Sequence, residues 1–421
     1  MIRIRGVILT SLTLVMGVLA VGQTVTVDYW HFYGGEFGRL HEALITKFNE
    51  THPDIQVKSQ YIGSPWTGRD KLLTAIAAGS PPDVTLVDDY WIPQLAATGN
   101  IIKLEDYIDA ATRADIFPLF WESASYEGEI WAMPYAASNL VLYYNKDLFA
   151  QAGLDPDVPP RTWEDLVEYA MKLTKDLDGD GQIDQWGLMM PTQAMKGVIY
   201  YYIPFLWQNG GELFNEDYTE CVVDSTAGVE ALQFLQDLIY KYKVMPATPP
   251  QYGFRSGVVA MTIASCARLN IMYKPAVEFE LGVAPLPMNK RRVTVSGGKL
   301  FVAFNEKKLD AILEFINWMT NKETNTSWSI STGYIPLRRS VVQSREFQDY
   351  LFENPGAVAS VEQIIYTRPR PNIAAYGDIS RVIGMAIEAA LVGNQDPATV
   401  LSSAVSEANQ VLREWEERLK Q

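Results

Sequence analysis

The side chains best suited to chemistry in this sequence are carboxylates, and they occur in two arrangements. Adjacent pairs stand at Asp88-Asp89 and Glu416-Glu417. Neighbours on a strand or helix point apart, so neither pair can flank a glycosidic bond from both sides. The second arrangement is a loop, Asp176-Leu-Asp178-Gly-Asp180-Gly-Gln182-Ile-Asp184. Its acids and its central glycine follow the first part of an EF-hand loop, so Asp176, Asp178, Asp180, Gln182 and Asp184 could hold a structural calcium ion. The bidentate Glu that ends such a loop is replaced by Gly187. The alternative is a tight acidic turn closed by its own side-chain hydrogen bonds. No Gly-x-Ser-x-Gly elbow, Walker loop or dinucleotide fingerprint is present, and no cofactor is required.

Other residues suit binding better than catalysis. A polyol or sugar offers hydroxyls to carboxylates and amides, and a C–H face to aromatic rings. Asp89 comes after the expected strand 83–87, at its carboxyl end, where open α/β sheets bind ligands. Trp66 lies in the turn-rich stretch Gly63-Ser-Pro-Trp-Thr-Gly68. Ser138 and Ser265 border apolar strands and could donate hydroxyls. Gly297-Gly298 would let backbone N–H groups approach a ligand. Tyr334 and Trp207 could stack on it. Arg381 could fork onto a phosphate, or be paired with Asp378 or Glu388 and be structural. Against each stands an ordinary role: a solvated acid, a cap, a turn, a core ring.

The elements that must position these residues are legible in the periodicity. Met1 to Arg5 carries two positive charges, an apolar run spans Val7 to Val21, and small residues precede Gln23. That is the layout of a secretory signal over residues 1–22. No Cys stands at its end, so a free periplasmic or extracellular carrier is expected, without a lipid anchor. The remaining length favours two domains. The formal net charge of −15 speaks against nucleic-acid binding, although one buried Arg could still serve an anionic ligand. Cys221 and Cys266 could join in that oxidising compartment or remain separate buried thiols. His31 and His41 lack the spacing of a metal pair on one helix. Strand 25–30, helix 37–49, strand 55–58, helix 69–79 and strand 83–87 give the rhythm of an α/β fold with parallel strands. Strands at 139–144, 258–263, 281–285 and 300–304 follow, with helices at 162–174, 227–240, 310–319 and 397–419. Thr162, with Asp165 three residues on, predicts a capped helix start.

Several segments together resemble the extracellular solute-binding proteins of carbohydrate-type ABC importers. They are Gly79-Ser-Pro-Pro-Asp83, Leu142-Tyr-Tyr-Asn-Lys-Asp-Leu-Phe149, Pro160-Arg-Thr-Trp-Glu-Asp-Leu166, Val259-Ala-Met-Thr262, Gly282-Val-Ala-Pro-Leu-Pro287 and Thr332-Gly-Tyr-Ile-Pro336. The resemblance implies a two-lobed α/β fold that closes on a hinge, with the ligand in the cleft between the lobes. Carried onto this chain, it gives an N-terminal lobe of 23–134 plus 286–335 and a C-terminal lobe of 135–285 plus 336–421. It also implies a non-enzymatic monomer that hands a small polar ligand to the importer's membrane subunits. Trp30-His31, Gly35-Glu36, Gly297-Gly298, Asn354-Pro-Gly356 and Arg381-Val-Ile383 are similar to the glycerol-3-phosphate-binding branch. That similarity implies ligand contacts at Glu36, Trp66, Asp89, Ser138, Ser265, Gly298, Tyr334 and Arg381. Asp89 is shorter than the branch's Glu, and Cys266 replaces a Ser. The expected ligand is therefore glycerol-3-phosphate or a glycerophosphodiester. A neutral oligosaccharide is the alternative, and a secreted glycosidase the rival of another class.

Overall fold

The computed structural model describes residues 24–63 and 65–420, the side chains of Pro65 and Trp66 excepted. The signal expected at 1–22 lies outside them. The chain opens with the expected rhythm: strand Val25–His31, helix Gly35–Thr51, strand Ile55–Tyr61, helix Pro65–Ala77 and strand Val84–Asp88. The first strand pairs parallel with the other two. The first helix buries Gly38, His41, Ile45 and Phe48, the stripe that its 3.6-residue period puts on one side. Strand Val84–Asp88 is buried along its whole length, with Thr85 and Asp88 among Val84, Leu86 and Val87.

Two long strands, Met133–Asn145 and Thr294–Ala303, set the architecture. The sheet runs in the order 55–61, 25–31, 84–88, 294–303, 133–145, 259–265, 186–189. Residues 299–303 pair with 84–88 in the N-terminal half, whereas 140–145 pair with 259–265 and 281–284 in the C-terminal half. Between these blocks the long strands cross the molecule side by side, with Ser138 opposite Gly297. The parallel pairing expected from the rhythm holds within each half. The long strands pair antiparallel, because each must run from one half to the other.

The expected boundaries at 285/286 and 335/336 lie some residues from these crossings. Leu286 donates to Gln363, Met288 to the Arg161 carbonyl and Arg291 to the Gln208 carbonyl, which ties 286–291 to the C-terminal half. Phe117 donates to the Leu337 carbonyl, and Arg338 and Ser340 hold Asp115, which ties 337–340 to the N-terminal half.

Local signals explain most other elements. Thr162 and Asp165 form the reciprocal cap at the start of helix Trp163–Leu173, with both N–H···O distances 3.0 Å. Helix Pro397–Leu419 buries Leu401, Ala404, Ala408, Leu412 and Trp415 against helix Tyr376–Leu391. Helix Val198–Gln208 has no sequence stripe: ten of its residues are buried, so no polar face marks its period. Cys221 and Cys266 are separate, free and buried. Burial pushes their thiols up to about 11 and about 12. The tertiary fold brings His31 and His41 together at 5.1 Å between ring centroids, inside the aromatic core.

Candidate functional site: an interlobe cleft

The cleft is built on the crossing strands. A cavity of about 220 Å³ over the crossing is lined by Asp88, Ser138, Tyr200, Ser265, Gly297, Lys299, Tyr334 and Arg370. Four residues singled out in the sequence therefore meet here: Ser138, Ser265, Gly297 and Tyr334. The Ser138 hydroxyl donates to the Gly297 carbonyl at 3.3 Å. Ser265 ends strand Val259–Ser265 and accepts from the Ala267 N–H, which caps the short turn Cys266–Arg268. A Cβ on Gly297 would sit 2.9 Å from the Tyr200 hydroxyl, so glycine is what lets that ring reach the crossing. Tyr334 stacks on Trp328 at 5.9 Å and 22°.

The N-terminal wall is a set of matched charges. Asp89, 4% exposed, sits in the turn Asp89–Trp91 after its strand. Its carboxylate accepts from the Tyr90 N–H at 2.7 Å and the Gly298 N–H at 3.0 Å, and it is paired with Arg370. Burial pushes the Asp89 carboxyl up, and the Arg370 guanidinium opposes that shift. Arg370 lies over Tyr90 at 4.5 Å and Tyr200 at 5.6 Å. Asp88 points the other way and pairs with Lys299. Asp89 and Gly298 thus support the site through Arg370, one step back from the open space.

The C-terminal wall differs. A cavity of about 320 Å³ includes Lys196, Gly197, Tyr200, Tyr201, Arg268 and Tyr376 in its lining. Arg268 stands just past the carboxyl end of strand Val259–Ser265. Its neighbours are the hydroxyls of Tyr201 and Tyr273, which hold its proton more tightly. Among the described residues neither Arg268 nor Lys196 has a carboxylate partner. Gly197, at φ +74°, opens helix Val198–Gln208, so the positive end of that helix also faces this space. Two unneutralised cations and a helix N-terminus around one cavity suit an anion.

The remaining candidates lie elsewhere. Arg381 is exposed on helix Tyr376–Leu391 and lines none of these cavities. Glu36 is exposed in the first turn of its helix and paired with Arg39. Trp207, buried under Arg368 at 4.4 Å from its ring, lines a further cavity of about 380 Å³ that includes Glu122 and Glu212 and shares Arg370 with the cleft. The Trp66 side chain lies outside the described residues. In the acidic loop, Asp176, Asp178 and Asp184 bring one carboxylate oxygen each within 4.8 Å of one another, and Asp180 stays outside that group. Their oxygens accept loop N–H groups, Asp176 from Gly179 at 2.7 Å and Asp184 from Leu177 at 2.7 Å. Three carboxylates at that spacing fit a divalent cation, and the hydrogen bonds already close the turn without one.

Sequence reasoning missed Lys196, Tyr200, Arg268 and Lys299, and it did not single out Arg370. Signals existed for three. Arg268 follows an apolar strand, Lys299 follows the Gly297-Gly298 pair, and Arg370 lies within Arg368-Pro-Arg-Pro371.

Two α/β halves joined by crossing strands, with a polar and aromatic cleft over the crossing, define a class of capture protein. The family profile of the bacterial extracellular solute-binding proteins matches residues 43–354, and the chain belongs to that family. Among its relatives is the sn-glycerol-3-phosphate-binding periplasmic protein UgpB of Escherichia coli K12, 26% identical over 441 residues and 98% of each chain. Among solved structures, the cyclic α-maltosyl-1,6-maltose binding protein of Arthrobacter globiformis is 28% identical. Its TM-score is 0.80, with 93% of this chain and 100% of that one covered. UgpB of Mycobacterium tuberculosis, in complex with glycerophosphocholine, shares the fold at TM-score 0.82 and 24% identity over 93% of this chain and 99% of that one. The chain is thus the solute-binding component of a sugar-type ABC importer, working outside the cytoplasmic membrane with the importer's membrane subunits. Its family binds substrates for transport and is not enzymatic, which removes the glycosidase reading. No described helix is long and apolar enough to cross a membrane.

Proposed function

We propose that this protein captures a phosphorylated polyol, glycerol-3-phosphate or a glycerophosphodiester, in the interlobe cleft and delivers it to the importer. The observation that carries this reading is the pair Lys196 and Arg268, cations without a carboxylate partner among the described residues, at one cavity with the N-terminus of helix Val198–Gln208. Lys196 is exposed and Arg268 half-buried, so both lose water when the cleft closes; a cation desolvated without a counter-ion is costly, and a phosphate offsets that cost through charge-assisted hydrogen bonds. Arg370, held by Asp89, would orient the same ligand from the opposite wall. A ligand touching both walls would favour closure, with the lobes moving about the crossing at Ser138 and Gly297.

A neutral oligosaccharide is the second reading. Tyr90, Tyr200, Tyr201 and Tyr376 offer rings to a sugar face, and the Asp88–Lys299 pair offers groups to its hydroxyls. A thermal-shift screen of the full chain separates the two. Stabilisation by glycerol-3-phosphate or glycerophosphodiesters that weakens with added salt supports the phosphate reading. Stabilisation by di- and trisaccharides alone overturns it.

A further inference from the structure

A third cavity, of about 520 Å³, meets the 320 Å³ cavity at Lys196, Tyr201 and Arg268, which line both. Beyond that junction the compartment is walled by Thr248, Gln251 and Arg255 among others, and Arg255 lies over the Tyr252 ring at 5.1 Å. No Asp or Glu is among its described lining residues, although the chain as a whole has 50 acids against 35 Lys and Arg. Three cations with no carboxylate between them make this open-mouthed space the most one-sidedly positive among the described cavities.

We infer that the ligand extends past Arg268 into this side compartment, and that the part lodged there is polyhydroxylated or anionic, never a quaternary ammonium. The inference rests on the phosphate reading of the cleft. A glycerol phosphate alone would leave most of the joined space empty, whereas pockets of about 300–1,000 Å³ suit larger ligands. Hydroxyls can accept from the guanidinium of Arg255 and exchange hydrogen bonds with Thr248 and Gln251. A fixed positive headgroup would meet three like charges with no acid to receive it, and the Tyr252 ring that could stack on it already carries Arg255. The ligand class is therefore a phosphodiester or phosphomonoester of a polyol larger than glycerol.

Calorimetric titration of the full chain tests this with glycerol-3-phosphate, glycerophosphoinositol and glycerophosphocholine at one ionic strength. Glycerophosphoinositol is expected to bind at least about tenfold more tightly than glycerophosphocholine. Arg255→Gln is expected to shrink the advantage of glycerophosphoinositol over glycerol-3-phosphate. Glycerophosphocholine binding as tightly as the inositol diester overturns the inference, as does an advantage that Arg255→Gln leaves intact. In both cases the phosphate reading stands. Failure of all three ligands, with binding of a neutral trisaccharide, removes the phosphate reading and this inference together.

Discussion

The two walls of the cleft solve the problem of buried charge differently. On the N-terminal wall every acid has its base: Asp88 holds Lys299, and Asp89 holds Arg370 while accepting two backbone N–H groups. On the C-terminal wall Lys196, Arg255 and Arg268 have no carboxylate partner among the described residues. A neutralised wall is fixed before any ligand arrives and can orient one. An unneutralised wall has solvated cations that must lose water on closure, so the counter-charge has to come from the ligand. Selectivity for charge therefore belongs to the C-terminal wall, and rigidity to the N-terminal one.

The largest effect should come from unbalancing the neutral wall. Asp89→Ala leaves Arg370 buried without its partner, and loss of about 3–5 kcal/mol of unfolding free energy is expected in chemical denaturation. A loss under about 1 kcal/mol would mean that the pair is not what fixes this wall.

Next comes the open wall. Arg268→Gln should cost about 1.5–3 kcal/mol of binding to a phosphorylated ligand, roughly ten- to a hundredfold in Kd, with a shallower salt dependence. Unchanged affinity would erase the distinction between the walls.

A smaller effect concerns the core below the neutral wall. His41 is fully buried between the hydroxyls of Tyr29 and Tyr135, at 2.7 and 3.0 Å. Burial first, and His31 second, hold it well below its ordinary 6.5. The folded state then binds fewer protons than the unfolded state, so stability is complete above 6.5 and falls as pH drops below it. The slope for this group should approach about 1.4 kcal/mol per pH unit, and His41→Gln should flatten it. An equal slope in the variant would shift the cause to other groups.

The smallest effect is expected at Arg381, exposed and away from every described cavity of the cleft. Arg381→Gln should leave ligand Kd within about twofold. A large loss would restore it to the binding surface and redraw both walls.

Much of the scaffold was legible because its signals are local. The Thr162–Asp165 cap spans three residues, and the stripe of helix Pro397–Leu419 repeats within two turns. Helix Val198–Gln208 was not legible, because a helix buried on all sides has no polar face to reveal its period. Ser138, Ser265, Gly297 and Tyr334 were picked out individually, and the crossing strands bring them to one cavity. Arg381 shows the limit. Its type suits a phosphate, but the helix turns it outward, and Arg370, eleven positions earlier, faces the cleft instead.

The sequence by itself determined the α/β rhythm and the kinds of side chain a polar ligand would need, since these follow from short-range periodicity, capping and composition, while the capture class came from the ordered motifs that resemble the solute-binding family. Only the tertiary structure decided which charges cancel. Asp89 and Arg370 are 281 residues apart, and Asp88 and Lys299 are 211 apart. No local rule pairs residues at such separations. They meet because two long strands cross between the halves, and the same crossing leaves Arg268 and Lys196 on the opposite wall without partners.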